Sequence, residues 1–307
     1  MATTTSITTT YAGEFAGQYI AAALLEGTTI SQGGITVKPN VKFKEVLKKV
    51  SLNDITKDAT CDFDPTSTIT LTERILQPEE QQVNLQICKK DFANDWEAVQ
   101  MGYSAYHNVP PKFADFILGH VAAKVAEKTE QNIWRGDTSN NGEFNGLTTL
   151  LSTDADLPAA QEIAGTTVSA SNVIAQLQSI VDAIPSAVYG REDLKIYIAQ
   201  NIAKHYVSAQ AALGYRDDYH VGQTQMNFQG IPLFVANGLA DNKAVAAQSS
   251  NLYFGTGLLS DHNEVKVLDM ADLDGSQNAR IIMRFTAGVQ YGSVEDIVTY
   301  GITNSAN

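Results

Sequence analysis

Residues of the types that carry catalysis are few in this sequence and stand far apart. The five histidines occur at positions 107, 120, 205, 220 and 262. None stands in a Gly-x-Ser-x-Gly turn or a His-Glu-x-x-His helix, the arrangements that supply a nucleophile or a zinc site. Ser260, Asp261 and His262 are the residue types of a catalytic triad, but triads are assembled from distant segments. The sequence therefore predicts no catalytic site.

One run of residues has the spacing of the first half of a calcium-binding loop, Asp137-x-Ser139-x-Asn141-Gly142. A calcium loop needs a bidentate glutamate at its twelfth position, where this sequence has Thr148. The run follows a predicted helix end, where turn residues are common. Gly255-Thr256-Gly257 lacks the third glycine and the following helix of a nucleotide-binding turn. We therefore expect neither a metal nor any other cofactor.

The only two cysteines are Cys61 and Cys88. They form no Cys-x-x-Cys pair and have no histidine at ligand spacing, which argues against structural zinc and against a disulfide framework. Two free thiols in a reducing compartment are the simpler interpretation. The alternative is a disulfide that forms late, either across two strands or between subunits.

The charge balance argues against nucleic-acid recognition. The 307 residues include 34 acidic and 21 basic ones, for a net charge of -13, and such a surface repels phosphates. Sequence-specific binding of DNA or RNA is therefore not expected. Charged residues make up 18% of the chain, below the roughly 25% of an average soluble domain. A surface with so few charges suggests that much of it contacts other protein.

The first forty residues suit neither a membrane anchor nor a compact core. The first basic residue is Lys38, which argues against a secretory signal, and the apolar run from Tyr19 to Leu25 is too short to span a bilayer. We therefore expect a protein made in the cytoplasm, without membrane attachment. Tyr11, Phe15 and Tyr19 are four residues apart and would share one side of a short helix. That helix would dock either on the chain's own core or on a neighbouring subunit.

Between Val41 and Cys88 the sequence predicts a long two-stranded ribbon. Val46 and Val50 lead into a polar stretch, residues 68–72 alternate strictly between polar and apolar, and residues 83–87 alternate again. A two-stranded sheet is only marginally stable alone in water, so such a ribbon requires a surface to lie on. That surface belongs either to a partner or to the chain's own domain.

The clearest single element is a helix over residues 111–135. Pro110 and Pro111 suit its first turn, and Gly136 suits its C-terminal cap. Its apolar residues recur at spacings of three and four, which predicts one long buried stripe that includes His120 as a packing residue. About 25 residues at 1.5 Å each give a helix of about 37 Å, which can act as a spine for the molecule.

After a hydrophilic turn that follows this helix, helices and strands alternate. We predict helices over residues 171–184 and 200–213 and strands over 194–198 and 231–236, with Ser171 as an N-cap. This alternation predicts a small α/β domain. The remaining predicted elements are strands, at residues 251–254, 264–268, 280–285, 289–291 and 297–300.

Taken in order, these parts resemble an HK97-fold major capsid protein of tailed bacteriophages over nearly the whole chain. The stretches that carry the resemblance are Gln131 to Asp137 leading into Phe144-Asn145-Gly146-Leu147, Gln229 to Asn237 with its Gly230-Ile231-Pro232 start, and Asn251 to Gly257 followed by Arg280 to Phe285. One feature departs from the family, which often has proline before the junction glycine. Here Asn145 precedes Gly146.

The resemblance implies an α+β HK97-like capsid fold and assigns its parts. Residues 1–45 would form the N-arm, 46–80 the extended β-hairpin E-loop, and 147–275 the α/β axial domain. The peripheral domain would combine residues 81–146, which include the spine helix, with residues 276–307. The residues expected to contact other subunits are Tyr11, Phe15, Tyr19, Glu73, Arg74, Arg216, Asp217 and Asp218.

The resemblance also implies a function. The chain would be a non-enzymatic structural subunit that self-assembles into pentamers and hexamers of an icosahedral phage head and encloses double-stranded DNA. Its partners would be a portal and a separate scaffolding protein, since no long charged helical segment precedes the arm, with decoration proteins left open. It would assemble in the host cytoplasm and remain in the virion. The alternatives are an encapsulin-type nanocompartment shell and a surface-layer protein or adhesin.

Overall fold

The computed structural model describes residues 27–52, 56–59, 61, 65–66, 68–88, 111–212, 226–257, 266–271 and 275–306, with side chains from His120 onward in the helix that begins at Pro111. The helices are α1 (Thr28–Ser31), α2 (Pro111–Arg135), α3 (Leu147–Leu151), α4 (Val173–Asp182) and α5 (Gln200–Ala212). The strands are β1 (Thr36–Lys38), β2 (Glu45–Leu52), β3 (Ile69–Leu76), β4 (Glu79–Cys88), β5 (Glu162–Ile163), β6 (Leu194–Ile198), β7 (Asn227–Phe228), β8 (Ile231–Val235), β9 (Ala244–Gln248), β10 (Leu252–Thr256), β11 (Lys266–Asp269), β12 (Asn278–Tyr291) and β13 (Val298–Tyr300).

A five-stranded sheet is built around the long strand β12, which pairs antiparallel with β4, β10 and β11, while β1 pairs parallel with β10. The sequence predicted two strands where β12 is one, and this prediction was wrong. The apolar alternation is interrupted at Ala287 and Gly288, but the backbone continues. An ideal Cβ on Gly288 would lie 2.8 Å from the carbonyl oxygen of Gln77, so glycine lets the chain before β4 approach the strand.

A six-stranded sheet has the order β5-β13-β9-β6-β8-β7. Strands β6 and β8 are parallel neighbours joined through α5, which is the βαβ unit that the alternation of helices and strands predicted. Ile196, Tyr197 and Ile198 of β6 are fully buried, as expected for a strand covered on both faces. Tyr197 packs against Trp134 of α2 and Phe234 of β8, with ring centroids 5.1 Å and 5.2 Å apart. Helix α2 therefore packs on this sheet.

The two sheets exchange strands across the expected domain boundaries. Strand β13 belongs to the six-stranded sheet, although residues 276–307 were assigned to the peripheral domain. Strands β10 and β11 belong to the five-stranded sheet, although residues 147–275 were assigned to the axial domain. Buried residues of both sheets form one hydrophobic core. The division into named domains therefore stays a prediction.

Helix α2 confirms the predicted helix with the same ends. Its last turn closes through the N–H of Gly136, which donates to the carbonyl oxygen of Asn132 at 3.1 Å. An ideal Cβ on Gly136 would lie 2.2 Å from the carbonyl oxygen of Phe144. Glycine is therefore needed because the following chain folds back against the helix end.

The N-cap of helix α4 lies one residue later than the sequence predicts. The helix begins at Val173 with Asn172 at the N-cap position, so the predicted N-cap at Ser171 was wrong by one residue. The Oδ1 atom of Asn172 accepts the N–H of Ser169 at 2.7 Å instead of a helical N–H. Within the described part of the chain, no helix combines the length and the apolar character needed to cross a bilayer.

Candidate assembly interface

Strands β2 and β3 form a two-stranded sheet in the region where the sequence predicts a ribbon. They pair antiparallel from Glu45 opposite Leu76 to Leu52 opposite Ile69, and neither joins another described strand. We call these two strands the ribbon. The alternating run at residues 83–87 lies instead in β4, which pairs with β12 in the five-stranded sheet.

One side of the ribbon is apolar and exposed. Residues directly opposite each other, and residues two apart along a strand, share a side of a sheet. The cross-strand pairs Val46–Ile75, Val50–Leu71 and Leu52–Ile69 therefore lie on one side, together with the pair Lys48–Glu73. We call the side chains of Val46, Val50, Leu52, Ile69, Leu71 and Ile75 the apolar face. Their exposed fractions run from 43% for Val46 to 64% for Ile69.

The apolar face has the character of a protein-binding surface. A cluster of exposed apolar side chains is typical of an interaction site, whereas singly exposed apolar residues are common on any surface. An exposed ion pair, in which Lys48 Nζ lies 3.9 Å from Glu73 Oε1, separates the Val46–Ile75 pair from the other two apolar pairs. Complete burial of these half-exposed side chains against a partner would contribute roughly 1 kcal/mol each.

The opposite side of the ribbon binds the chain's own body through Arg74. Its Nη1 atom lies 2.6 Å from Asp154 Oδ2, and its guanidinium carbon lies 4.7 Å from the ring centroid of Tyr291. The Tyr291 hydroxyl donates to the same Asp154 oxygen at 2.6 Å. Burial raises the pKa of Asp154, but the hydrogen bonds from Tyr291 and Arg74 outweigh it and hold the pKa below its usual value of 3.8.

A second contact on that side involves Lys49. Its Nζ atom lies 2.9 Å from both Glu295 Oε2 and Ser293 Oγ, in the segment between β12 and β13. Near the base of the ribbon, the side chains of Leu47 and Leu76 are buried. The polar side of the ribbon is thus fixed to the subunit, and the apolar face is left outward.

The described segment before the ribbon is tied to helix α2. Thr29 donates its N–H to Glu130 Oε2 at 3.1 Å and its hydroxyl to Glu130 Oε1, and Trp134 Nε1 donates to the Thr29 hydroxyl at 2.7 Å. Glu130 is 2% exposed. Burial raises the pKa of Glu130 above its usual 4.5, and hydrogen bonds from Thr29, Gly238 and Trp134 offset this effect only in part.

The structure describes two of the eight residues predicted to contact other subunits. Glu73 is exposed and lies beside the apolar face. Arg74 lies on the opposite side of the strand and pairs with its own chain, so this intramolecular pairing does not support a role for it in subunit contact. The other six residues lie outside the described ones and stay predictions: Tyr11, Phe15, Tyr19, Arg216, Asp217 and Asp218.

Sequence reasoning did not identify the six residues of the apolar face. The signal was present, because Val46, Val50 and Leu52 follow a period of two, as do Ile69, Leu71 and Ile75. The sequence pattern does not give the register between the two strands, which decides whether the two sets of side chains lie on the same side of the sheet or on opposite sides. The pairing of Val50 with Leu71 places them together.

The structure describes only part of the residues that were considered for chemistry. His120 is exposed, which does not support its predicted packing role, and Ser260-Asp261-His262 lies outside the described residues. In the calcium-like run, Asp137 Oδ1 accepts the N–H of Ser139 at 2.8 Å, as a turn residue does. Among the described residues, no three His, Cys, Asp or Glu side chains come together in a way that could hold a metal ion. Cys61 and Cys88 are free thiols within the chain.

Comparison with solved structures identifies the fold. No protein-family model matches the sequence. A search of curated proteins also finds no match. The capsid of a native GTA particle covers 94% of this chain and 94% of its own, with a TM-score of 0.66 and 14% identity. A structure of Mycobacterium phage Adephagia matches over 94% of this chain and 93% of its own chain, with a TM-score of 0.60 and 15% sequence identity. The capsid structure of Cyanophage P-SCSP1u matches over 95% of this chain and 92% of its own chain, with a TM-score of 0.54 and 15% sequence identity. The predicted α+β HK97-like capsid fold is therefore confirmed.

Proposed function

We propose that this chain is the major structural subunit of a tailed-phage head. In this proposal it self-assembles into pentamers and hexamers of an icosahedral shell that encloses double-stranded DNA. The observation that carries the proposal is the apolar face, an exposed hydrophobic surface on a chain whose fold matches capsid structures over 94% of its length. A shell subunit needs such a surface, because its function is to bind copies of itself.

The ribbon suits the symmetry of a capsomer. A contact between the apolar face of one subunit and a different surface of the next is head-to-tail. Such contacts close into a ring when the rotation that relates neighbouring subunits is a whole fraction of a full turn. Stable interfaces bury about 1,600 Å² in total. A ribbon that lies flat across a neighbour adds to the contact between the two bodies, which helps a subunit of 307 residues to reach that area.

The charge of the chain suits a container for DNA. The net charge of -13 opposes tight binding of phosphates, so a genome inside the shell would not be held by specific contacts. The proposal includes a portal and a separate scaffolding protein as partners, which would act during assembly in the host cytoplasm. The finished subunit would remain in the virion.

Electron microscopy tests this function directly. The chain is expressed alone and together with its scaffolding protein, and the purified product is imaged by negative stain. We expect shells, rings or tubes in at least one condition. Monodisperse monomers in every condition would contradict the proposal.

Limited proteolysis tests the role of the ribbon in assembly. Cleavage between Asn53 and Gln77 is expected to be fast in free subunits and suppressed in assembled particles, because a neighbouring subunit would cover this segment. Equal cleavage rates in the two states would contradict a ribbon that lies on a neighbour.

A further inference from the structure

We propose that two sets of positioning residues hold the ribbon at a fixed angle to its own body. The first anchor consists of Arg74, Asp154 and Tyr291. The second anchor consists of Lys49, Ser293 and Glu295. The effect of the anchors on assembly rests on the proposed function. Their effect on the position of the ribbon in a free subunit does not.

The first anchor joins three separate parts of the chain. Arg74 lies in β3, Tyr291 ends β12, and Asp154 lies in the loop after α3. The side chains of Arg74 and Asp154 are 22% and 10% exposed, so water screens their ion pair only weakly. The Tyr291 ring under the guanidinium adds a cation–π contact, which orients Arg74 as well as attracting it.

Asp154 is held in place independently of the ribbon. Its Oδ1 atom accepts the N–H of Asp156 at 2.9 Å, and its backbone carbonyl accepts Asn304 Nδ2 at 2.7 Å. Asp154 is therefore a fixed point of the body, and Arg74 is the moving partner. Removal of either charge would release the ribbon without dismantling the loop that carries Asp154.

The second anchor prevents rotation about the first. Lys49 lies opposite Thr72 and Arg74 opposite Leu47, so the two anchors are two residues, or about 7 Å, apart along the ribbon. Lys49 and Glu295 are 31% and 66% exposed. The second anchor is therefore more sensitive to salt than the first.

The ribbon depends on these anchors because no other described strand pairs with it. Among the described strands, β2 and β3 pair only with each other, and a two-stranded sheet is only marginally stable alone. Its apolar face contributes nothing to attachment until a partner covers it. The base of the ribbon is also held by the buried Leu47 and Leu76, by the ion pair of Lys38 with Glu45, and by Gln290 Nε2, which donates to the carbonyl oxygen of Ile75 at 3.1 Å. The anchors add the contacts that set the direction of the ribbon above this base.

Distances between spin labels test the proposal in free subunits. One label is placed on the ribbon at Thr70→Cys and one on the body at Tyr189→Cys, both exposed positions, in a background of Cys61→Ser and Cys88→Ser. We expect a narrow distance distribution in the parent and a broad one after Arg74→Met or Asp154→Asn. The population at displaced distances should rise roughly tenfold. Arg74→Lys should restore part of the narrow peak, since it keeps the charge.

Glu73→Gln is the matched control, because it removes an ion pair whose two members, Lys48 and Glu73, both lie in the ribbon. Lys49→Met provides a second variant if Arg74→Met fails to fold, and it should broaden the distribution less. Equal distributions in the parent, Lys49→Met and any folded Arg74→Met would overturn the proposal. So would broadening by Glu73→Gln as large as that by Arg74→Met.

Shell yield then tests the consequence for assembly. We expect Arg74→Met to reduce closed shells about tenfold relative to the parent, because a ribbon without a fixed angle meets its neighbour in many orientations. Equal yields would overturn the positioning role. Failure of the parent to form any shell would instead contradict the proposed function, while the distance distributions would still decide whether the anchors hold the ribbon.

Discussion

Glu130 is a carboxyl group buried between helix α2 and the segment that carries Thr29. Its pKa is raised by burial, so the folded protein binds its proton more tightly than the unfolded chain does. A raised pKa stabilises the fold fully below the unfolded value of 4.5, and this contribution is lost as the pH rises through the folded pKa. The packing of Thr29 on α2 should therefore weaken from acidic to neutral pH.

Glu130→Gln should remove this pH dependence, because glutamine keeps an oxygen acceptor for Thr29 and cannot ionise. Urea unfolding at about pH 5 and about pH 8 measures the effect as the difference between the variant and the parent. We expect the variant to gain stability relative to the parent as the pH rises. The same difference at both pH values would show that Glu130 does not titrate in this range.

Gly238 is a position where the fold has no room for a side chain. An ideal Cβ there would lie 2.0 Å from the carbonyl oxygen of Glu130, which is backbone and cannot move aside. Gly238→Ala should lower the free energy of unfolding by about 2 kcal/mol. Gly27→Ala is the control, since its Cβ would lie 3.7 Å from Ala126, and it should change the stability by less than about 0.5 kcal/mol. Equal effects in urea unfolding would contradict this packing.

At the scale of elements, the apolar face of the ribbon should be required for assembly and dispensable for folding. Leu71→Glu puts a charge where a partner would have to bury it, and it should reduce shell yield by at least about tenfold. Leu71 is 63% exposed, so the melting temperature of the free subunit should stay nearly unchanged.

The neighbouring substitution Thr70→Glu provides the control for this prediction, because Thr70 lies on the other side of the same strand. It should leave shell yield close to that of the parent. Sedimentation and electron microscopy measure the yield of shells. Loss of shells with Thr70→Glu and not with Leu71→Glu would place the subunit contact on the side opposite the apolar face, which contradicts the prediction.

Elements with strong local signals could be predicted from the sequence. Helix α2 has two prolines at its start, a glycine after its end and a long apolar stripe, and both its ends were correct. Strand β6 was also correct, as a short apolar run between turn residues. Strand β12 was not, because its apolar alternation breaks at Ala287 and Gly288, and only the approach of Gln77 explains the glycine.

The candidate site was less predictable, because its contacts join distant residues. Arg74 and Asp154 are 80 positions apart, and Thr29 and Glu130 are separated by 101. No local pattern links such partners, since a side chain's neighbours across the fold depend on the tertiary arrangement. The period of two in β2 and β3 was visible, but the register that brings Val50 opposite Leu71 was not.

For the whole molecule, the exchange of strands between the two sheets joins the parts that the resemblance had separated. The chain passes through the five-stranded sheet as β12 and then enters the six-stranded sheet as β13. Buried residues of both sheets form one hydrophobic core. The body is therefore one packed unit, whereas the ribbon is a separate sheet attached at its base and through its two anchors. A packed body that carries an outward apolar ribbon suits a repeated head-to-tail contact.

Cryo-electron microscopy of the particle formed on co-expression with the scaffolding protein tests whether the apolar face is a subunit contact. We expect a closed shell in which Val50 and Leu71 of each ribbon are buried against a neighbouring subunit. A shell in which these two side chains face solvent, or the absence of any closed particle, would contradict it.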